Sequence, residues 1–67
     1  MFRAHETWRH RSCKNLDILV LKLQYNGPLY VKVRIMYWNR HSNVFCSMDP
    51  ETVKIYREDF HKWSLVL

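Results

Sequence analysis

The sequence predicts a small all-β domain, and three observations carry that expectation. Between Leu29 and Trp38 the chain alternates: Leu29, Val31, Val33, Ile35 and Tyr37 take the odd positions, and Tyr30, Lys32, Arg34, Met36 and Trp38 the even ones. Successive side chains on a strand point to opposite faces, so a period of two makes a ribbon with one aliphatic face. Other apolar runs recur along the chain, separated by the turn residues Asn26-Gly27-Pro28, Arg40-His41-Ser42-Asn43 and Asp49-Pro50-Glu51. Finally, 48% hydrophobic residues, ten aromatics and a single glycine describe a chain dense enough to fold.

The elements follow in order. Thr7-Trp8-Arg9-His10-Arg11 alternates weakly, as a short first strand or an ordered arm. Leu16 to Tyr25 and Leu29 to Asn39 read as two long strands, and Asn43 to Met48 as a third with Val44, Cys46 and Met48 on one side. Thr52 to Arg57 reads as a fourth, with Val53 and Ile55 inward. Phe60 and Trp63, three apart, suit one helical turn with both rings tucked in, and Ser64 to Leu67 a last short strand.

Burial suggests the hairpin register. Setting Leu19, Leu21, Leu23 and Tyr25 opposite Ile35, Val33, Val31 and Leu29 makes one face wholly apolar. It implies a three-residue connection, Asn26-Gly27-Pro28, or a bulge beside it. The expected core is Leu19, Leu21, Leu23, Tyr25, Leu29, Val31, Val33, Ile35, Val44, Cys46, Val53, Ile55, Phe60 and Leu65.

This order, with the helical turn at Phe60–Trp63 between the last two strands, resembles the SH3-like small barrel in its Tudor and KOW-type layout. The resemblance is one of architecture over residues 6–67. It implies an all-β, five-stranded barrel with one short 3-10 turn near the C-terminus. Barrels of this kind bind nucleic acid, peptides or each other, so the likeness narrows fold more than function. The glycine signature of KOW modules is absent, Gly27 being the lone glycine.

At 67 residues the chain makes one domain with a small core, in which a deep catalytic pocket is hard to build. Three tryptophans and four tyrosines exceed what such a core needs, so some rings should lie on the surface. The net charge of +5 favours acidic partners. Residues 1–15 concentrate Arg3, Arg9, Arg11 and Lys14 against Glu6, so residues 1–12 read as a basic N-terminal arm. No secretory leader or membrane-spanning run is visible, and two cysteines without a leader suit free thiols in a reducing, cytoplasmic setting.

The strongest functional pattern is the even face of Leu29–Trp38. Lys22, Lys32, Arg34 and Arg40 are placed to neutralise phosphates, with Arg9 and Arg11 adding reach. Tyr30 and Trp38 are placed to stack on bases, and Lys54 and Tyr56 to widen the surface. The same residues also suit plain solubility or a second small core. His10-x2-Cys13 and His41-x4-Cys46 carry zinc-type donors at loose spacing, so no metal site and no cofactor is expected. Glu58 and Asp59, the Asp49–Glu51 turn and the serines form no catalytic motif; an enzyme of this size would need an oligomeric site. The expectation is a non-catalytic module binding nucleic acid through a basic, aromatic strand face. The alternative is a protein-interaction or inhibitor module of a mobile element or phage, docking an acidic protein surface, or a homodimer joined through exposed rings and the apolar pair Val66-Leu67.

Overall fold

The computed structural model describes residues 1–13, 15–46 and 49–67. The strands are β1 (Thr7–His10), β2 (Leu16–Asn26), β3 (Tyr30–Asn39), β4 (Val44–Phe45), β5 (Glu51–Tyr56) and β6 (Trp63–Val66), with one 3-10 helix at Arg57–Lys62 between β5 and β6. They form one antiparallel sheet in the order β4-β3-β2-β1-β6, and β5 pairs with the first half of β3. The chain is therefore mostly β, with the short 3-10 turn where Phe60 and Trp63 suggested a helical turn. The expected five-stranded barrel is not closed: the described residues form six strands, and among them no ladder joins β5 to β6. The 3-10 helix spans that gap instead, and Phe60 on it covers the core.

The core gathers Phe2, Trp8, Ile18, Val20, Val31, Val33, Ile35, Ile55 and Phe60, with Leu23, Tyr37, Val53 and Trp63 packed against it. Val31, Val33 and Ile35 are the odd face of β3, as their alternation implied. β2 departs from expectation. Its first half sets Ile18 opposite Tyr37 and Val20 opposite Ile35; its second half sets Leu23 opposite Val33 and Tyr25 opposite Val31. The register shifts between Val20 and Lys22, so Leu21 is the extra residue of a β-bulge. The bulge lets even residues face the core before it and odd residues after it. Leu19 and Leu21, expected in the core, are consequently only half-buried. The N-terminal residues hold this bend: the His5 N–H donates to Val20 O at 2.7 Å, and the Val20 N–H to Glu6 O at 2.9 Å.

Five other expected core residues lie outward. Leu29 is 69% exposed because the hairpin connection is Gly27-Pro28-Leu29, one residue later than expected, with Gly27 at φ +65°. Tyr25 is exposed near that loop, its hydroxyl donating to Phe2 O at 3.1 Å. Leu65 is exposed on the edge strand β6. Val44 is exposed, as is Cys46, because β4 is only two residues long and leaves little sheet to pack on. The Met48 end of that expected strand lies outside the described residues, as does Lys14 of the basic arm. Residues 1–12 are tied to the sheet: β1 pairs with both β2 and β6, and the Phe2 ring lies 4.5 Å from Trp8 and 5.2 Å from Phe60. Among the described residues no helix is long and apolar enough to cross a membrane.

Candidate functional site

The site grows out of the β3 alternation. With Val31, Val33 and Ile35 committed to the core, Tyr30, Lys32 and Arg34 must project from the opposite face. The flanking strands extend that face in three rows. Lys22, Arg34 and Thr52 form one, Gln24, Lys32 and Lys54 the next, and Asn26, Tyr30 and Tyr56 the third. Neighbouring strands are about 4.8 Å apart and same-face residues about 7 Å apart along a strand, so these cations share one small surface. The bulge is what places Lys22 there, because it turns the second half of β2 over.

Lys22, Lys32, Arg34 and Lys54 are all exposed, and among the described residues none is in an ion pair. No acidic residue occupies these rows. The rings of Tyr30 and Tyr56 lie 5.7 Å apart and tilted, and Lys54 Nζ stands 4.9 Å from the Tyr30 centroid, within cation–π range. Lys22, Leu23, Gln24, Lys32, Arg34 and Thr52 line an open hollow of ≈ 170 Å³. The hollow suits a phosphate or a flat polar group better than an enclosed substrate.

The other expected site residues form a separate cluster. Trp38 is four residues beyond Arg34, about 14 Å along the strand, and its ring meets Phe45 edge-on at 4.8 Å. Beside it in the same row lies Asp17, only 3% exposed. Arg9 Nε donates to Asp17 Oδ1 at 3.0 Å and Arg9 Nη2 to Oδ2 at 3.2 Å, a bidentate pair. Arg40 Nε is 3.2 Å from the same Oδ1, and Arg40 Nη2 donates to Cys13 O at 3.3 Å. The hydrogen bond to Asp17 pushes the Arg9 pKa up against desolvation, and the charge of Asp17 adds a smaller push in the same direction. Arg9 and Arg40 thus hold the sheet together around one carboxylate. Arg11 is exposed in the turn after β1, where its N–H donates to Lys62 O at 2.8 Å. Asp17 had a signal in the sequence, a lone acid inside the apolar run Leu16–Leu21, but its partners are eight and twenty-three residues away.

The histidine and cysteine pairs do not converge. His10 Nδ1 accepts the Ser12 N–H at 3.1 Å, and its ring lies edge-on to Trp63 at 4.9 Å. Cys46 is tied through its N–H to Tyr37 O at 2.9 Å. Among the described residues no group of three or more His, Cys, Asp or Glu side chains is placed to hold a metal ion. Comparison of the chain with protein-family models, with curated proteins and with solved structures found no match.

Proposed function

We propose that the protein is a small non-catalytic module that binds nucleic acid along the outer face of β2, β3 and β5. The supporting observation is the set Lys22, Lys32, Arg34 and Lys54: four cations on three adjacent strands, with no acid among them. Cations left unneutralised in water are available to displace counterions from a phosphate backbone, which gives affinity that falls with salt. The Tyr30–Tyr56 pair at the end of these rows offers ring faces for unpaired bases. We read the curled sheet as an opened relative of the SH3-like small barrel, in which the missing closure leaves this face broad and accessible. Trp38 and the two arginines on Asp17 are the framework beside the face, not its contacts.

The test is a titration with labelled single-stranded and duplex oligonucleotides at low and near-physiological salt, followed by anisotropy. Saturable binding that weakens with salt supports the reading. Lys32→Glu with Arg34→Glu should abolish it while the circular dichroism spectrum stays unchanged, because both side chains are exposed. Undiminished binding by the double variant would overturn the assignment.

A further inference from the structure

We propose that β6 is a self-complementary edge through which two copies of the chain pair, antiparallel and centred on Leu65. Among the described residues β6 forms a ladder with β1 only; on its other side the 3-10 helix meets the Trp63 end, and Leu65 to Leu67 have no strand beside them. The phase of the ladder shows which backbone groups face outward. The Arg11 N–H donates to Lys62 O at 2.8 Å, and the register continues through Arg9–Ser64 and Thr7–Val66. Hydrogen-bonded and non-bonded pairs alternate in an antiparallel ladder, so the N–H and C=O of Leu65 and the C=O of Trp63 point away from β1. The Trp63 N–H is taken by Phe60 O. A second β6 centred on Leu65 therefore exchanges both Leu65 hydrogen bonds and sets each Trp63 C=O against the Leu67 N–H of the other copy.

The side chains fit the same register. Trp63 falls opposite Leu67 of the second copy, and Leu65 opposite Leu65, so every member of that row is apolar. Leu65 is 40% exposed and Leu67 fully so. Exposed edges are usually guarded by charge or proline. β5 follows that rule, with Pro50 before it and Glu51 and Lys54 along it, whereas Trp63-Ser64-Leu65-Val66-Leu67 carries no charged side chain. A chain of +5 repels itself, so two copies meet most easily along a strand without charged side chains, and Lys54 and Lys62 come near β6 only in the hollow at its Trp63 end. The two-fold axis stands perpendicular to the joined sheet, so both cationic faces end on the same side.

An edge of five residues is at the small end of specific interfaces, so the dimer should be concentration-dependent, with a dissociation constant on the order of 1–100 μM. Sedimentation equilibrium of the full chain over that range should show monomer giving way to dimer. Leu65→Lys, which sets two like charges against each other, should leave only monomer. A second variant is independent of how well that one folds. In a Cys13→Ser, Cys46→Ser background, Leu65→Cys should cross-link to itself under mild oxidation, because directly opposed Cα atoms are about 5.5 Å apart and within disulfide reach. Ser64→Cys in the same background should cross-link far less, since Ser64 falls opposite Val66. A wild-type chain that stays monomeric throughout, a dimer that survives Leu65→Lys in a folded variant, or equal cross-linking at positions 64 and 65 would overturn the proposal.

Discussion

At the scale of single residues, two side chains decide how the protein responds to chemistry around it. Asp17 is buried between two guanidiniums that keep partial contact with water, Arg9 at 40% and Arg40 at 27% side-chain exposure. Removing its charge leaves both cations facing a neutral group. Breaking a fully buried pair costs about 3–5 kcal/mol, and water reaching the arginines lowers that, so Asp17→Asn should cost about 1–3 kcal/mol in urea unfolding. Tyr37 is the second. Burial raises its hydroxyl pKa, and the nearby Glu51 and Cys13 add to the shift. The unfolded chain therefore ionises this tyrosine first as pH climbs past 10.0. Over the interval up to the raised folded value the unfolded state holds fewer protons, so the fold loses stability as pH rises there. Tyr37→Phe should flatten that alkaline decline, which urea midpoints measured from pH 8 upward would reveal as a smaller fall than in the wild type.

At the scale of elements the bulge at Leu21 governs the architecture. It turns β2 over midway, sending Ile18 and Val20 inward before it and Lys22 outward after it. Deleting Leu21 would join Val20 to Lys22 in one regular alternation, with Ile18, Val20, Leu23 and Tyr25 still on the inner side and only the bend removed. Burying Ile18 and Val20 contributes about 1.5–3 kcal/mol each, and the deletion keeps that contribution. A domain of this size has only about 3–10 kcal/mol in total. The deletion should therefore keep a cooperative urea transition, whereas Val20→Asp, which sets an unpaired charge in the core, should abolish both that transition and the near-ultraviolet dichroism. The same element explains what could be read in advance. β3 was legible because its apolar residues keep one parity from Val31 to Ile35, with charged residues between them. β2 carries leucine, isoleucine and valine on both parities, Leu16, Ile18 and Val20 against Leu19, Leu21 and Leu23, so periodicity alone could not say which faced inward. Phe2 and Trp8 were missed because they belong to a segment with too little periodicity to assign. Tyr30, Lys32 and Arg34 were legible as one face because that follows from β3 alone. The separation of Trp38 from them, and the engagement of Arg9 and Arg40, depended on Asp17 and on pairings between distant strands.

At the scale of the whole molecule the question is whether +5 acts as a diffuse charge or as a local surface. The acids answer part of it, since they are distributed unevenly. Asp17 is enclosed by Arg9 and Arg40, and Asp59 holds Lys62 at 2.9 Å, while the rows of Lys22, Lys32, Arg34 and Lys54 contain no acid. Two lysines of equal formal charge therefore occupy different surroundings. If nucleic acid is gripped by the outer face, each phosphate contact contributes about 0.7–0.9 to the slope of log affinity against log salt. Lys32→Gln should lower the magnitude of that slope by about 0.7–0.9, and Lys62→Gln, at the same cost in net charge, should leave it within error of the wild type. Anisotropy titrations at four or five salt concentrations measure both. Equal effects of the two substitutions would mean that the polyanion responds to total charge, and the outer face would lose its claim to be the contact surface.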